Sequence, residues 1–377
     1  MIPYEPALDG VRGVSIVAVM AFHACATSGL DGWFRGGNLG VSVFFTLSGF
    51  LITSILVTEL QHTGRLDLTR FWTRRIRRLV PASLTVVLLV VLLSRTSLFS
   101  ARADDATAAI WSFTNWHVII AGQDQLLRTI VGPLGPTWSL AVEEQFYVLL
   151  AIGVAIASRT FRPQRSLTIG FGATVVCSVL LANVVSDWHP RLEFGTDVRA
   201  AELAIGGLLA IIVASPASRV SKRLAALRTH HADVVGVAAL ATLMGLFLFA
   251  DYSPAWLLRG GFTIVALTTS AAIISARAGG RVSTALATRP LVAVGRWSYA
   301  LYLVHWPVFL VLTTDRVGFD GVPLVGVKVA TAFVFAIALH HLVEQPVRRS
   351  APHSASLTVG AWLTSSAAVT LLAIWLL

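Results

Sequence analysis

Eleven stretches of about 20 mostly apolar residues recur along the chain, near residues 8–27, 38–58, 79–98, 138–157, 167–186, 198–214, 232–250, 258–276, 297–313, 323–343 and 357–377. About 20 residues at roughly 1.5 Å each span the hydrocarbon core of a bilayer. Inside hydrocarbon each backbone N–H and C=O needs a partner within its own segment, which a run of this length finds only as a helix. The chain is therefore expected to be an all-α polytopic membrane protein, with about 10–11 transmembrane helices in one bundle. Composition agrees, since 55% of the 377 residues are hydrophobic, 13% are charged and the mean hydropathy is +0.75, values that exclude an ordinary soluble enzyme. One membrane domain over 1–377 is expected, with 357–377 as an added C-terminal helix and no soluble domain after it. Glu5 and Asp9 lie at the start of the first run with no basic segment before it, so that run reads as an uncleaved span rather than a signal peptide.

The formal charge of +10 raises nucleic acid as a partner, and the positions of the basic residues answer it. Nineteen of the 29 Lys and Arg fall in loops after even-numbered runs, among them Arg159, Arg162 and Arg165, then Arg219, Lys222, Arg223 and Arg228. Eight, including Arg128, fall on the opposite side. Cytoplasmic loops are the Lys/Arg-rich ones, which puts the N-terminus in the cytoplasm. The abundance of Ala, Arg and Val suggests a GC-rich bacterial genome, and with it a bacterial plasma membrane. The basicity is then topology, and no nucleic-acid partner is expected. Cys25 and Cys177 both sit in apolar runs as small hydrophobes; their spacing suggests neither a disulfide framework nor a metal site.

Polar side chains inside the apolar runs mark where chemistry is expected, because ionisable groups in a membrane are costly and line cavities. In the first run Arg12 and His23 are eleven positions apart. At about 100° per residue they return to nearly the same helical face, about 16 Å apart along the axis. His23 reads as the catalytic base of a membrane-embedded transferase. The second run, GVSVFFTLSGFLIT, holds Gly40, Ser48 and Gly49 among bulky residues, a pattern that fits close helix packing and a substrate contact equally. Between 71 and 81 the segment FWTRRIRRLVP carries Arg74, Arg75, Arg77 and Arg78. It reads as a basic amphipathic helix on the membrane surface, with Pro81 starting the third run. Such a cluster serves topology and anionic headgroups, or offers guanidinium forks to a polyphosphate such as coenzyme A. The fourth run opens with TWSLAVEEQFY, where Trp138 precedes two adjacent carboxylates, Glu143 and Glu144; neighbouring helix positions point about 100° apart, so one of the two faces the cavity. Asp197, Arg199 and Glu202 enter the sixth run, with Arg199 and Glu202 spaced to pair with each other. His305 precedes Pro307 in the ninth run, and Glu344 closes the tenth, in reach of the arginine cluster.

In this order, LDGVRG with the Arg12-to-His23 spacing, GVSVFFTLSGFLIT, FWTRRIRRLVPA, WSLAVEEQFYVL, VRAAELAIGG, SYALYLVHWPV and VEQPVR resemble the acyltransferase-3 family of integral membrane O-acyltransferases over nearly the whole chain. The resemblance implies transfer of an acyl group, commonly acetyl, from cytoplasmic acyl-CoA to a hydroxyl of a carbohydrate-containing acceptor: a glycan, a glycolipid or a glycosylated metabolite. It makes Arg12 and His23 the signature pair and places the donor acyl-CoA at Arg74, Arg75, Arg77 and Arg78, with no metal. Two positions depart from the family pattern: Ser42, often acidic there, and Val80 before Pro81, often aromatic. Some relatives append an extracellular esterase-like domain, which is not expected after the last run here.

His23 is then expected to take the proton of the acceptor hydroxyl, with Glu143 or Glu144 holding its tautomer. Trp138, Arg199, Glu202 and His305 are expected on the substrate side, Arg199 as a candidate for the oxyanion. The rival reading is a proton-coupled secondary transporter that relays protons through His23, His305 and the glutamates. A transporter has no use for the arginine cluster, and no internal repeat is visible.

Overall fold

The computed structural model describes residues 4–96, 98–121, 129–185, 189–215, 229–252, 254–350 and 354–377, and among these each of the eleven apolar runs contains a helix. The basic loop residues Arg128, Arg219, Lys222, Arg223 and Arg228 lie outside the described residues. Among the described residues nine helices are long and apolar enough to cross a membrane: Pro6–Ala26, Gly37–Thr63, Leu68–Leu93, Thr137–Ala157, Pro163–Val184, Thr229–Phe249, Leu257–Arg277, Gly321–Arg349 and Ala355–Leu376. The two remaining runs are helical too, Thr196–Val213 and Arg289–Val311, and these carry Arg199, Glu202 and His305. The protein is a multi-pass integral membrane protein. Its exposed surface shows why: on Thr137–Ala157 the outward positions Leu149, Ile152 and Ile156 are each more than half exposed, an apolar stripe suited only to lipid.

The chain divides into two units. The first comprises Met1–Phe22, Trp33–Leu66 and Glu143–Arg296, the second His23–Gly32, Asp67–Val142 and Trp297–Leu377. In the first unit the Gly40–Thr63 helix packs against Thr196–Val213 through reciprocal glycines. A Cβ on Gly49 would lie 2.0 Å from the Leu203 carbonyl oxygen, and one on Gly206 would lie 2.0 Å from that of Thr46. Gly49 of the second run is thus a packing surface, the close backbone approach that membrane helices use. Gly49→Leu is expected to force these helices apart and destabilise the protein by at least about 1–3 kcal/mol, read as earlier thermal unfolding in detergent. The core around this seam joins Leu39, Val43, Leu47 and Phe50 to Val198, Leu209, Phe262 and Val265.

In the second unit the C-terminal helix Ala355–Leu376 lies against Leu68–Leu93 and Ala103–Ile110. The Trp111 indole donates to Thr370 at 3.1 Å, and Arg95 donates to the Leu376 carbonyl at 3.2 Å. One expectation is corrected here. The arginine-rich segment is not a separate surface helix before Pro81; Leu68–Leu93 is one helix that runs through Pro81, N-capped by Asp67, whose side chain accepts from the Arg70 amide. Proline at 81 removes the backbone bond that the Arg77 carbonyl would accept, and two side chains bond other carbonyls of the same stretch. Tyr299 donates to the Leu79 carbonyl at 2.8 Å, and Thr85 donates to the Pro81 carbonyl at 2.7 Å. The Gly321–Leu339 helix continues through a π-helical turn, His340–Glu344, into Gln345–Arg349.

Candidate active site

The first helix ends at Ala26, and His23 occupies its last turn. In the second unit His23 Nδ1 lies 3.1 Å from Nε2 of His305, the two rings stacked with centroids 5.2 Å apart. His305 is fully buried, and its Nδ1 faces the carbonyl oxygens of Leu301 at 3.1 Å and Tyr302 at 2.8 Å. Carbonyls only accept, so His305 Nδ1 carries the proton and Nε2 of the neutral ring is an acceptor. His23 Nδ1 then donates to it. In neutral His23 the lone pair is left on Nε2, which is the protonation pattern of a general base.

Trp306 packs beside the pair, its ring centroid 5.0 Å from that of His23, and its indole N–H donates to the Gly132 carbonyl at 2.9 Å. Tyr302 donates to the Pro136 carbonyl at 2.9 Å and shares a 2.6 Å hydrogen bond with Ser139. Trp138, on the same turn as Ser139, is half-buried.

The arginine cluster also belongs to the second unit. Arg74 is exposed, Arg75 lies over the Phe71 ring at 5.9 Å, and Arg75, Arg77 and Arg78 are half-buried. Arg77 closes the end of Gln345–Arg349, donating to the carbonyls of Val347 at 2.7 Å and Ser350 at 2.6 Å and to the Ser350 hydroxyl at 2.9 Å. Glu344 does not hold the arginines. It is buried and hydrogen-bonded to His340 one helical turn away, and Gln345 meets the other nitrogen of that imidazole at 3.0 Å. His340 and Glu344 stand four positions apart, an ordinary helical spacing for contact, but His340 lies outside the VEQPVR segment.

On the short helices Ala103–Ile110 and Thr114–Ile120, Asp104, Asp105 and His117 bring possible ligand atoms within 4.8 Å of one another. Each is engaged: Arg102 grips Asp104 at 3.0 Å, while His117 at 3.1 Å and Thr129 at 2.7 Å share one oxygen of Asp105. The Arg102 hydrogen bond holds the Asp104 carboxyl below the usual carboxylate range.

In the first unit Arg199 and Glu202 are buried and paired, as their spacing suggested, with contacts of 2.6 Å and 3.3 Å. Arg199 also donates to the Glu193 carbonyl at 2.8 Å and to Ser42 at 3.1 Å, and its guanidinium covers the Phe262 ring at 3.8 Å. Ser42, one of the two departures, thus meets this pair through a hydroxyl. Glu143 accepts from Tyr147 at 2.8 Å, and Tyr147 in turn accepts from Ser48. Glu143 and Glu144 are both half-buried. Arg12, also half-buried, stands on the same unbroken helix as His23, so their shared face stands.

A family model described as an acyltransferase domain matches residues 5–341. The chain belongs to this acyltransferase family. It is 31% identical over 353 residues to the O-acetyltransferase OatA of Staphylococcus aureus, covering 92% of this chain and 57% of that protein. It is 32% identical over 360 residues to the putative peptidoglycan O-acetyltransferase YrhL of Bacillus subtilis, covering 92% and 55%. The chain thus spans somewhat more than half the length of these relatives. No solved structure matches it. The acyltransferase match ends before the Ala355–Leu376 helix begins.

Of the residues singled out from sequence, His23 and His305 come together in one unit and Arg199 and Glu202 in the other. Ser139, Tyr147 and Lys328 were assigned no role beforehand. Tyr147 stands four positions after Glu143, a helical spacing that signals contact, whereas the Tyr302–Ser139 bond joins residues 163 positions apart and leaves no local signature.

Proposed function

We propose that this protein is a membrane O-acyltransferase, acting as one domain over 1–377, that moves an acetyl group from acetyl-CoA to a hydroxyl of a cell-wall glycan. The hydrogen-bond order from Leu301 and Tyr302 through His305 to His23 carries the reading, because it leaves His23 Nε2 as a base. His23 Nε2 takes the acceptor hydroxyl's proton as its oxygen attacks the thioester carbonyl. The tetrahedral adduct then expels the thiolate by breaking the C–S bond, and the imidazolium returns the proton to give free CoA thiol. His305 fills the tautomer-fixing place first assigned to Glu143 or Glu144. Arg74, Arg75, Arg77 and Arg78 offer guanidinium forks to the donor's phosphates, on the cytoplasmic side if the N-terminus is cytoplasmic. Trp138, Arg199 and Glu202 are assigned to the acceptor side, and Arg12 to the signature face shared with His23.

The names of the relatives support the acetyl group, and that of the Bacillus subtilis relative supports peptidoglycan as acceptor. They give no support to the transporter. Purified protein in nanodiscs is expected to release CoA from acetyl-CoA only when a peptidoglycan oligosaccharide is present, with an added acetyl on the glycan by mass spectrometry. CoA release that ignores the glycan, or none at all, rejects the reading.

A further inference from the structure

Lys328 is a buried cation that the reaction above does not use. It lies within the Gly321–Leu339 helix with its side chain fully buried. Its ammonium spends all three donors on the residues that end the first helix: the Thr27 carbonyl at 2.6 Å, the Thr27 hydroxyl at 2.7 Å and the Ser28 hydroxyl at 3.1 Å. Among the described residues no carboxylate pairs with it. The Thr27 hydroxyl that accepts from Lys328 donates onward to the carbonyl of His23 at 2.7 Å. Ser28 is held from a second direction, its carbonyl accepting from the Gly321 amide at 2.9 Å.

A lone ammonium inside a membrane span is expensive, and its compensation here is the negative end of the first helix together with two hydroxyls. We propose that Lys328 is a positioning residue for acyl transfer: through Thr27 it fixes the last turn of the first helix, and with it the register of His23 against His305. The imidazole must hold the 3.1 Å contact with His305 to keep its lone pair on Nε2. A helix end free to slide by a fraction of an ångström loses that alignment while the acyl donor still binds. The inference rests on the acyltransferase reading of the same site.

The test uses the full chain in nanodiscs, with Lys328→Met, Thr27→Val and Thr27→Ser. Two readouts are taken: steady-state acetyl transfer from acetyl-CoA to peptidoglycan oligosaccharide, and the rate at which diethyl pyrocarbonate modifies His23, followed by peptide mass spectrometry. Lys328→Met and Thr27→Val are each expected to lower kcat about 10- to 100-fold with KM for acetyl-CoA within about twofold of wild type, and to speed His23 modification. Thr27→Ser keeps the hydroxyl and is expected to rescue both. Thr27→Val covers the case in which Lys328→Met does not accumulate. Wild-type kcat in Thr27→Val, equal losses in Thr27→Val and Thr27→Ser, or a loss confined to KM each overturn the proposal. If wild-type protein transfers no acetyl, the acyltransferase reading has failed on its own, and the order of His23 modification rates still decides whether Lys328 sets the imidazole's position.

Discussion

His23→Gln is expected to lower acetyl transfer by about 10² to 10⁴-fold, the usual worth of a positioned general base, while the protein still inserts and folds. Glutamine retains polar atoms near the imidazole's position and can meet His305, so the packing beside Trp306 survives. What it lacks is a ring nitrogen whose lone pair can take the hydroxyl proton. The loss should fall on kcat, with KM for acetyl-CoA nearly unchanged, because the phosphates are assigned to the arginines and not to the first helix. His23→Ala should be at least as inactive. The measurement is CoA release with purified protein, matched to wild type by elution as a single species and by thermal unfolding. Turnover near the wild-type rate in either variant removes His23 from the chemistry.

The second large effect is on stability. Arg199→Met leaves Glu202 buried, with its charge partner gone, at a position with no exposed surface. Breaking one side of such a pair costs about 3–5 kcal/mol, whereas replacing both ions with apolar side chains of similar volume is often neutral. Arg199→Met is therefore expected to unfold at much lower temperature in detergent, and Arg199→Met with Glu202→Leu to recover most of the loss. The double variant also addresses the acceptor side. It is expected to regain stability without regaining transfer; recovery of both would reduce the pair to a structural contact. Ser42 bears on the same point, because its hydroxyl accepts from Arg199 and a carboxylate there would bring a second negative charge to one guanidinium.

Helix–helix approach was legible at Gly49 of the second run, where the spacing already allowed tight packing and the Leu203 carbonyl fills the space a Cβ would need. Helix starts and stops were less legible. The Leu68–Leu93 helix passes through a proline, and Tyr299 from a distant run donates to the Leu79 carbonyl beside it, a contact that no local rule contains. Glu344 was misassigned for another reason: charge alone pointed it at the arginines, but its carboxylate bonds the His340 imidazole four positions back.

The sequence by itself determined that the chain is a set of membrane helices and which of them carry ionisable groups. Both follow from solvation: hydrocarbon admits only helices with internal hydrogen bonds, and rejects charges that have no use. It also determined, through the one-face spacing on the first helix, that Arg12 and His23 share a side. Only the tertiary structure decided what meets His23. The partner proved to be another imidazole, from 282 residues away, and the cation behind its helix came from 301 residues beyond Thr27. Periodicity fixes directions within one helix, but hydrogen bonds between helices depend on how separate segments pack, and that packing is a property of the assembled fold.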